Sequence, residues 1–238
     1  MFIGVPKEIK PFENRVGLTP ASVREMIAND HKVVVETNAG HAIGFDDADY
    51  QTAGAGIAAS AADVFAQAEM IVKVKEPQAS EIAMLREGQI LFTYLHLAPD
   101  EAQTQGLLDS GCTGIAYETV TDHRGGLPLL APMSEVAGRM AVQAGATCLE
   151  IAHGGRGVLL GGVPGVTPGK VVVIGGGVVG SNAVFVATGM GGHVTVIDRD
   201  IRRLAEIDSQ YKSLITTRFS NSTNIEEEVA NADLLIGA

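Results

Sequence analysis

Three glycines and one aspartate form the sharpest chemical pattern in this sequence. Gly175, Gly177 and Gly180 stand in VVVIGGGVVG, immediately after a Val/Ile run and before a helical pattern. That spacing suits a dinucleotide pyrophosphate. The first glycine allows a tight turn, the second lets the phosphates approach the backbone, and the third packs helix against strand. The helix that follows would offer free N–H groups and the positive end of its dipole to the anion. A second apolar run, 193–197, ends in Asp198 at the separation expected of an acid that accepts hydrogen bonds from a ribose 2′-hydroxyl. A carboxylate there repels a 2′-phosphate, which favours NAD over NADP. Arg199, Arg202 and Arg203 pull the other way, since arginines here can hold the extra phosphate.

A second set of residues is basic. Arg15 follows the first apolar run, Lys75 closes a run over 70–75, and His96 follows one over 89–95. In α/β sheets ligands bind beyond the carboxyl ends of strands. Arginine and lysine there would fix a small carboxylate, the first as a fork and the second as a point charge. A histidine beside them can donate to a carbonyl or carry a proton near neutral pH. Lys73 shares the strand face of Lys75, so alternation does not choose between them. The other histidines show no metal-ligand spacing, so no metal is expected. The run GVTPGK at 165–170 is one residue short of a phosphate loop, and Val171 replaces the hydroxyl that would hold magnesium.

The elements that must position these groups read as alternating strands and helices. Strands are expected over 2–6, 32–37, 70–75, 89–95 and 113–117, with helices over 20–29, 46–53, 61–68, 79–85 and 99–110. Such alternation predicts a mainly parallel sheet covered on both faces. TDHRGGLP at 121–128 reads as a connector, and Ser134 as the cap of a long helix to about residue 152. The glycine-rich stretch 153–169 reads as a loop. A second α/β pattern follows, with strands over 171–175, 193–198, 214–217 and 233–237. The fold class is therefore α/β, with an N-terminal substrate domain over 1–128. A Rossmann-type dinucleotide-binding domain over 129–238 follows, incomplete after its fourth strand.

Composition narrows the partners. Lys+Arg 17 against Asp+Glu 28 gives a net charge of −11, which excludes a broad phosphate-neutralising surface for nucleic acid. With 46% hydrophobic and 19% charged residues, the chain can bury enough apolar surface to offset its entropy. Residues 171–197 carry no Asp, Glu, Lys or Arg, yet seven glycines interrupt them, so a membrane span is not expected. Cys112 and Cys148 have no redox or metal spacing and read as reduced thiols of a cytoplasmic protein.

The segments IGVPKEIKPFENRVGLTP, IVKVKEP, YLHLAPD, GIAYETV, PLLAPMSEVAGRMAVQAGA, HGGRGVLLGGVPGV and GGGVVGSNA, in that order, make the whole chain resemble the alanine dehydrogenase family. The resemblance implies reversible oxidative deamination of L-alanine to pyruvate and ammonia, with NADH formed. It implies that Arg15 and Lys75 bind the substrate carboxylate and that His96 is the acid/base. It also places Ser134, Val178, Val179, Asp198, Arg203 and Ser220 around NAD, and implies a homo-oligomer, a hexamer in that family. The alternatives are a non-catalytic NAD-binding fragment and the nucleotide-binding domain of a proton-translocating transhydrogenase. The latter is not expected to keep the histidine of YLHLAPD or a substrate-holding lysine. The family's later catalytic aspartate and returning segment lie beyond residue 238, so the chain alone is expected not to turn over.

Overall fold

Short Val- and Ile-rich runs pair in parallel throughout the structure, a computed structural model that describes Met1–Ala238. Two compact units divide at Leu129/Leu130. The first holds strands β1 (Phe2–Val5), β2 (Lys32–Glu36), β3 (Gly56–Ala58), β4 (Met70–Val72), β5 (Ile90–Thr93) and β6 (Thr113–Ala116). Helices α1 (Pro20–Ala28), α2 (Asp47–Thr52), α3 (Ala61–Gln67), α4 (Ala79–Ile82) and α5 (Glu101–Ser110) connect them. The sheet order is β3-β2-β1-β4-β5-β6, all parallel, so the chain reverses direction across the sheet between β1 and β4. That is the doubly wound order of a dinucleotide fold, here in the half of the chain without the glycine fingerprint.

Period-two alternation explains the two cores of this unit. Val33 and Val35 pack with Ile3, Val5 and Tyr50 on one face, while Val34 turns to the other face with Val64, Phe65, Ile71 and Leu91. Each such buried aliphatic side chain contributes roughly 1.5–3 kcal/mol. Caps set the helix starts. Thr19 accepts from the Ser22 N–H with Pro20 at the first helical position, Ser60 accepts from Asp63, and Asp100 from Gln103. The expected strand over 70–75 is shorter than its apolar pattern. It stops at Val72, although the Lys73 N–H still donates to Phe92 O and Val74 O still accepts the Tyr94 N–H. β3 has only three residues, too few to leave a periodic signal.

The second unit contains α6 (Ala131–Cys148), β7 (Lys170–Ile174), α7 (Val178–Gly189), β8 (His193–Asp198), α8 (Ile201–Tyr211), β9 (Ile215–Phe219), α9 (Ser222–Asn231) and β10 (Leu234–Gly237). Its sheet runs β10-β7-β8-β9, again parallel. Ser134 does not cap α6. The helix begins three residues earlier, with Pro132 in its first turn, where a missing N–H costs nothing, and the Ser134 N–H already donates to Leu130 O. Nor does α6 reach residue 152. It ends at Cys148, and the turn after it closes on Gly154 at φ +81°.

Close approach of α6 and α7 depends on one missing side chain. A Cβ at Gly138 would sit 2.1 Å from Val179 O and 2.9 Å from Asn182 Cβ. Gly138→Ala must push the helices apart, and overpacking of this kind costs about 1–3 kcal/mol. A thermal melt followed by circular dichroism should show a midpoint several degrees lower. An unchanged midpoint would mean that the two helices do not pack this tightly.

Candidate functional site

At the carboxyl edge of the first sheet, Arg15, Lys75 and His96 follow β1, β4 and β5, three strands that are neighbours in the sheet. Arg15 lies in the loop after β1. Its Nε and Nη2 donate to the two carboxylate oxygens of Glu13, at 2.8 and 2.6 Å. One double-bonding edge of the guanidinium therefore already grips an internal carboxylate. The bonds from Arg15 hold the Glu13 carboxyl below its ordinary value, partly opposed by burial, and Glu13 in turn raises the Arg15 guanidinium. The charge of Lys75 also acts on Glu13, and Arg15 acts on the Tyr94 phenol, so these groups share one electrostatic neighbourhood.

Lys73 and Lys75, inseparable by alternation, have different places. Lys73 is fully buried and paired with Glu8 at 3.1 Å and Glu81 at 2.5 Å. Lys75 is half-buried, its backbone held by the Glu8 carboxylate and by Thr93 Oγ1. The internal ion pairs use up Lys73, which leaves Lys75 as the cation at this edge.

His96 is exposed and its backbone is left-handed, with φ +48°, a conformation uncommon outside glycine. Glu118, in the turn after β6, accounts for it. Its Oε1 accepts the N–H groups of Leu95 at 3.1 Å and His96 at 2.7 Å. The Tyr94 ring stacks on the imidazole at 6.0 Å between centroids and 17° between planes. Tyr117 meets Tyr94 edge-on at 5.0 Å. Burial raises the Tyr94 phenol above its ordinary value, Arg15 partly opposes this, and Glu118 adds to it. Glu8, Glu13, Tyr94 and Glu118 were not singled out from the sequence. Tyr94 carried a signal, two residues before His96 and so on the same strand face. Glu13 is local too, two residues before Arg15, whereas Glu8 and Glu118 carried no signal, since only strand order brings them in.

In the second unit the three glycines have three separate reasons. Gly175 adopts φ +103°, and a Cβ there would lie 2.3 Å from Ala238 O. A Cβ at Gly180 would lie 1.8 Å from Gly175 O, so α7 can pack on β7 only without one. At Gly177 nothing lies within 4 Å of such a Cβ. Gly177 is the N-cap of α7 without a side-chain cap, so no capping side chain occupies the N–H groups of the first turn, which begins at Val178 and Val179. Asp198 accepts the Gly176 N–H at 2.6 Å through Oδ2 and the Asp200 N–H at 2.8 Å through Oδ1. Burial pushes its pKa up, but the N–H bonds from Asp200, Gly176 and Arg199 outweigh it and keep the group below the ordinary range. Each oxygen retains acceptor capacity. Ser220, whose N–H donates to Asp198 O, lines the same cleft with Gly175, Gly177, Asp198 and Arg199. Arg203 braces the turn: Nε donates to Gly176 O, Nη2 to Ser181 Oγ, and Nη1 pairs with Glu206. Ser134 is half-buried in the first turn of α6. This cradle fits a dinucleotide.

The Glu13–Arg15 pair has a pH signature. A depressed carboxyl stabilises the fold above its unfolded value, about 4.5, and loses that contribution as pH falls through its lower folded value. Glu13→Gln should therefore lower the unfolding midpoint at pH 7 and make progressively less difference below pH 4.5. Denaturation across pH 3–7 checks this, and an equal effect at all pH values would deny the pair its role.

Comparison with known proteins finds matches to both halves of the chain. The family model described as "Alanine dehydrogenase/PNT, N-terminal domain" matches residues 4–137, and "Alanine dehydrogenase/PNT, C-terminal domain" matches 141–238. The alanine dehydrogenase of Halomonas elongata is 58% identical over 238 residues, covering 100% of this chain and 64% of its own length. A solved structure titled L-alanine dehydrogenase superposes with a TM-score of 0.91 at 52% identity, over 99% of this chain and 65% of that one. A transhydrogenase from Sinorhizobium meliloti gives 0.82 at 26% identity, over 100% of this chain and 69% of that one. The chain thus spans just under two thirds of the length of the curated relative. It belongs to the alanine dehydrogenase/PNT family.

Proposed function

We propose that this chain carries the substrate-binding unit and the adenosine-side nucleotide unit of an NAD-dependent alanine dehydrogenase, which interconverts L-alanine with pyruvate and ammonia. The observation that carries the reading is the adjacency of Arg15, Lys75 and His96 behind three neighbouring parallel strands, at the point where the sheet order reverses. A 2-oxo or 2-amino acid presents one carboxylate and one reacting carbon. Lys75 supplies a point charge to the carboxylate, and Arg15, oriented by Glu13, a second cation. His96, steadied by Tyr94, donates a proton to the carbonyl oxygen in one direction and takes one from the corresponding hydroxyl in the other.

Asp198 with Gly175, Gly177, Gly180, Val178, Val179 and Ser220 would hold NAD, with Ser134 and Arg203 as the further contacts the family suggests. When bound, NAD supplies the acceptor for the hydride from the alanine Cα. The anionic Asp198 favours a free 2′-hydroxyl over a 2′-phosphate. A homo-oligomer and a cytoplasmic setting complete the proposal; no helix of the structure is long and apolar enough to cross a membrane.

Two substitutions test the two ends. Because a Cβ at Gly177 meets nothing, Gly177→Val should melt like the parent while NAD affinity, by titration calorimetry, falls at least about tenfold. Retained affinity would move the nucleotide elsewhere. In a full-length version, His96→Ala should lower kcat for alanine-dependent NADH formation by about 100-fold or more, with a smaller change in KM. Wild-type kcat across the pH range would remove the acid/base role.

A further inference from the structure

Beneath the candidate substrate site lies a charged group that no binding role requires. Glu8 is 7% exposed and bridges two segments of chain. Its Oε1 accepts the N–H of Val74 at 2.6 Å and that of Lys75 at 3.3 Å, and its Oε2 accepts Lys73 Nζ at 3.1 Å. The segment it grips therefore begins where β4 ends and carries Lys75. Glu8 itself begins the loop that carries Arg15. The far end of that loop touches the same segment: a Cβ at Gly17 would lie 2.4 Å from Val72 O. Residues 8–17 are thus fastened at both ends to residues 72–75, by a buried carboxylate at one end and by backbone contact at the other. Lys73 is locked from below by Glu81, so the Glu8 oxygens cannot drift. Thr93 Oγ1 holds the Lys75 carbonyl from the β5 side.

We infer that Glu8 is a positioning residue that sets the separation of Arg15 and Lys75, and with it the affinity for a small carboxylate substrate. The inference rests on the proposed roles of those two cations. Burying a carboxylate beside a lysine is costly unless the pair is well hydrogen-bonded. Here the cost brings a fixed distance between two flexible cations. Without Glu8 the Arg15 loop stays joined only through Gly17 and the Lys10–Glu76 ion pair, and the Lys75 N–H loses its acceptor.

The test is steady-state kinetics of a full-length version. Glu8→Asp keeps its charge against Lys73 but withdraws the acceptor from the Val74 and Lys75 N–H groups. It should raise KM for pyruvate and for alanine about fivefold or more, with KM for NADH within about twofold and kcat within about threefold. Glu8→Gln keeps an amide oxygen for both N–H groups but sets its NH2 against Lys73, which retains Glu81 as its partner, and should recover part of the loss. Val23→Ala, in the core of the same unit, serves as the stability control and should leave KM for pyruvate unchanged. Parental KM in Glu8→Asp, or an equal rise in Val23→Ala, overturns the inference. Arg15→Ala separates the two levels. If it raises KM while Glu8→Asp does not, only the positioning role falls; if it leaves KM unchanged, the substrate site itself has been misassigned.

Discussion

Because β1 pairs in parallel with both β2 and β4, the chain must leave these strands toward the same edge, and the loops that follow cannot cover one another. A gap therefore opens above the β1–β4 seam. Everything proposed for the first unit is arranged around that gap. Arg15 comes from one side of it and Lys75 from the other, while His96 comes from the next strand along. The second unit repeats the constraint with β7 between β8 and β10, and there the gap is filled by backbone N–H groups rather than by cations. One half of the chain offers side-chain charge and the other offers helix-terminal dipoles, from the same strand order.

The electrostatics follow the same division. Around the β1–β4 seam, each cation that could act has a carboxylate assigned to it: Glu13 for Arg15, Glu8 and Glu81 for Lys73, and the backbone grip of Glu8 for Lys75. These acids cost desolvation, and they hold flexible side chains in one geometry. In a chain of net charge −11, these carboxylates are not incidental surface charge. They are internal scaffolding, with Glu8 and Glu81 buried.

Strand and helix alternation was legible because β-branched runs and caps are local signals, as Thr19-Pro20 and Val33–Val35 illustrate. The glycine fingerprint was legible for the same reason: the needs of Gly175, Gly177 and Gly180 arise within one turn. Pairing across the sheet was not. Glu118 lies 22 residues from His96, and Glu8 lies 67 from Lys75, so their contacts exist only once β1, β4, β5 and β6 are in order. The start of α6 misled because Ser134 has cap chemistry, whereas Pro132 fixes the first turn earlier. Lys73 and Lys75 share an alternation face, and burial separates them only through the acids that reach Lys73.

The left-handed backbone of His96 has an evolutionary reading. A non-glycine residue in that conformation carries about 1–2 kcal/mol of strain, offset here by the two N–H bonds into Glu118. Positions 96 and 118 are therefore epistatic. If Glu118 drifts first, the backbone at 96 favours glycine, which relieves the strain and deletes the imidazole in one step. If His96 changes first, Glu118 is released from its constraint and the aromatic stack behind it loses its purpose. Neither residue can be lost gradually. A lineage that keeps the histidine in this conformation keeps the acid that holds it.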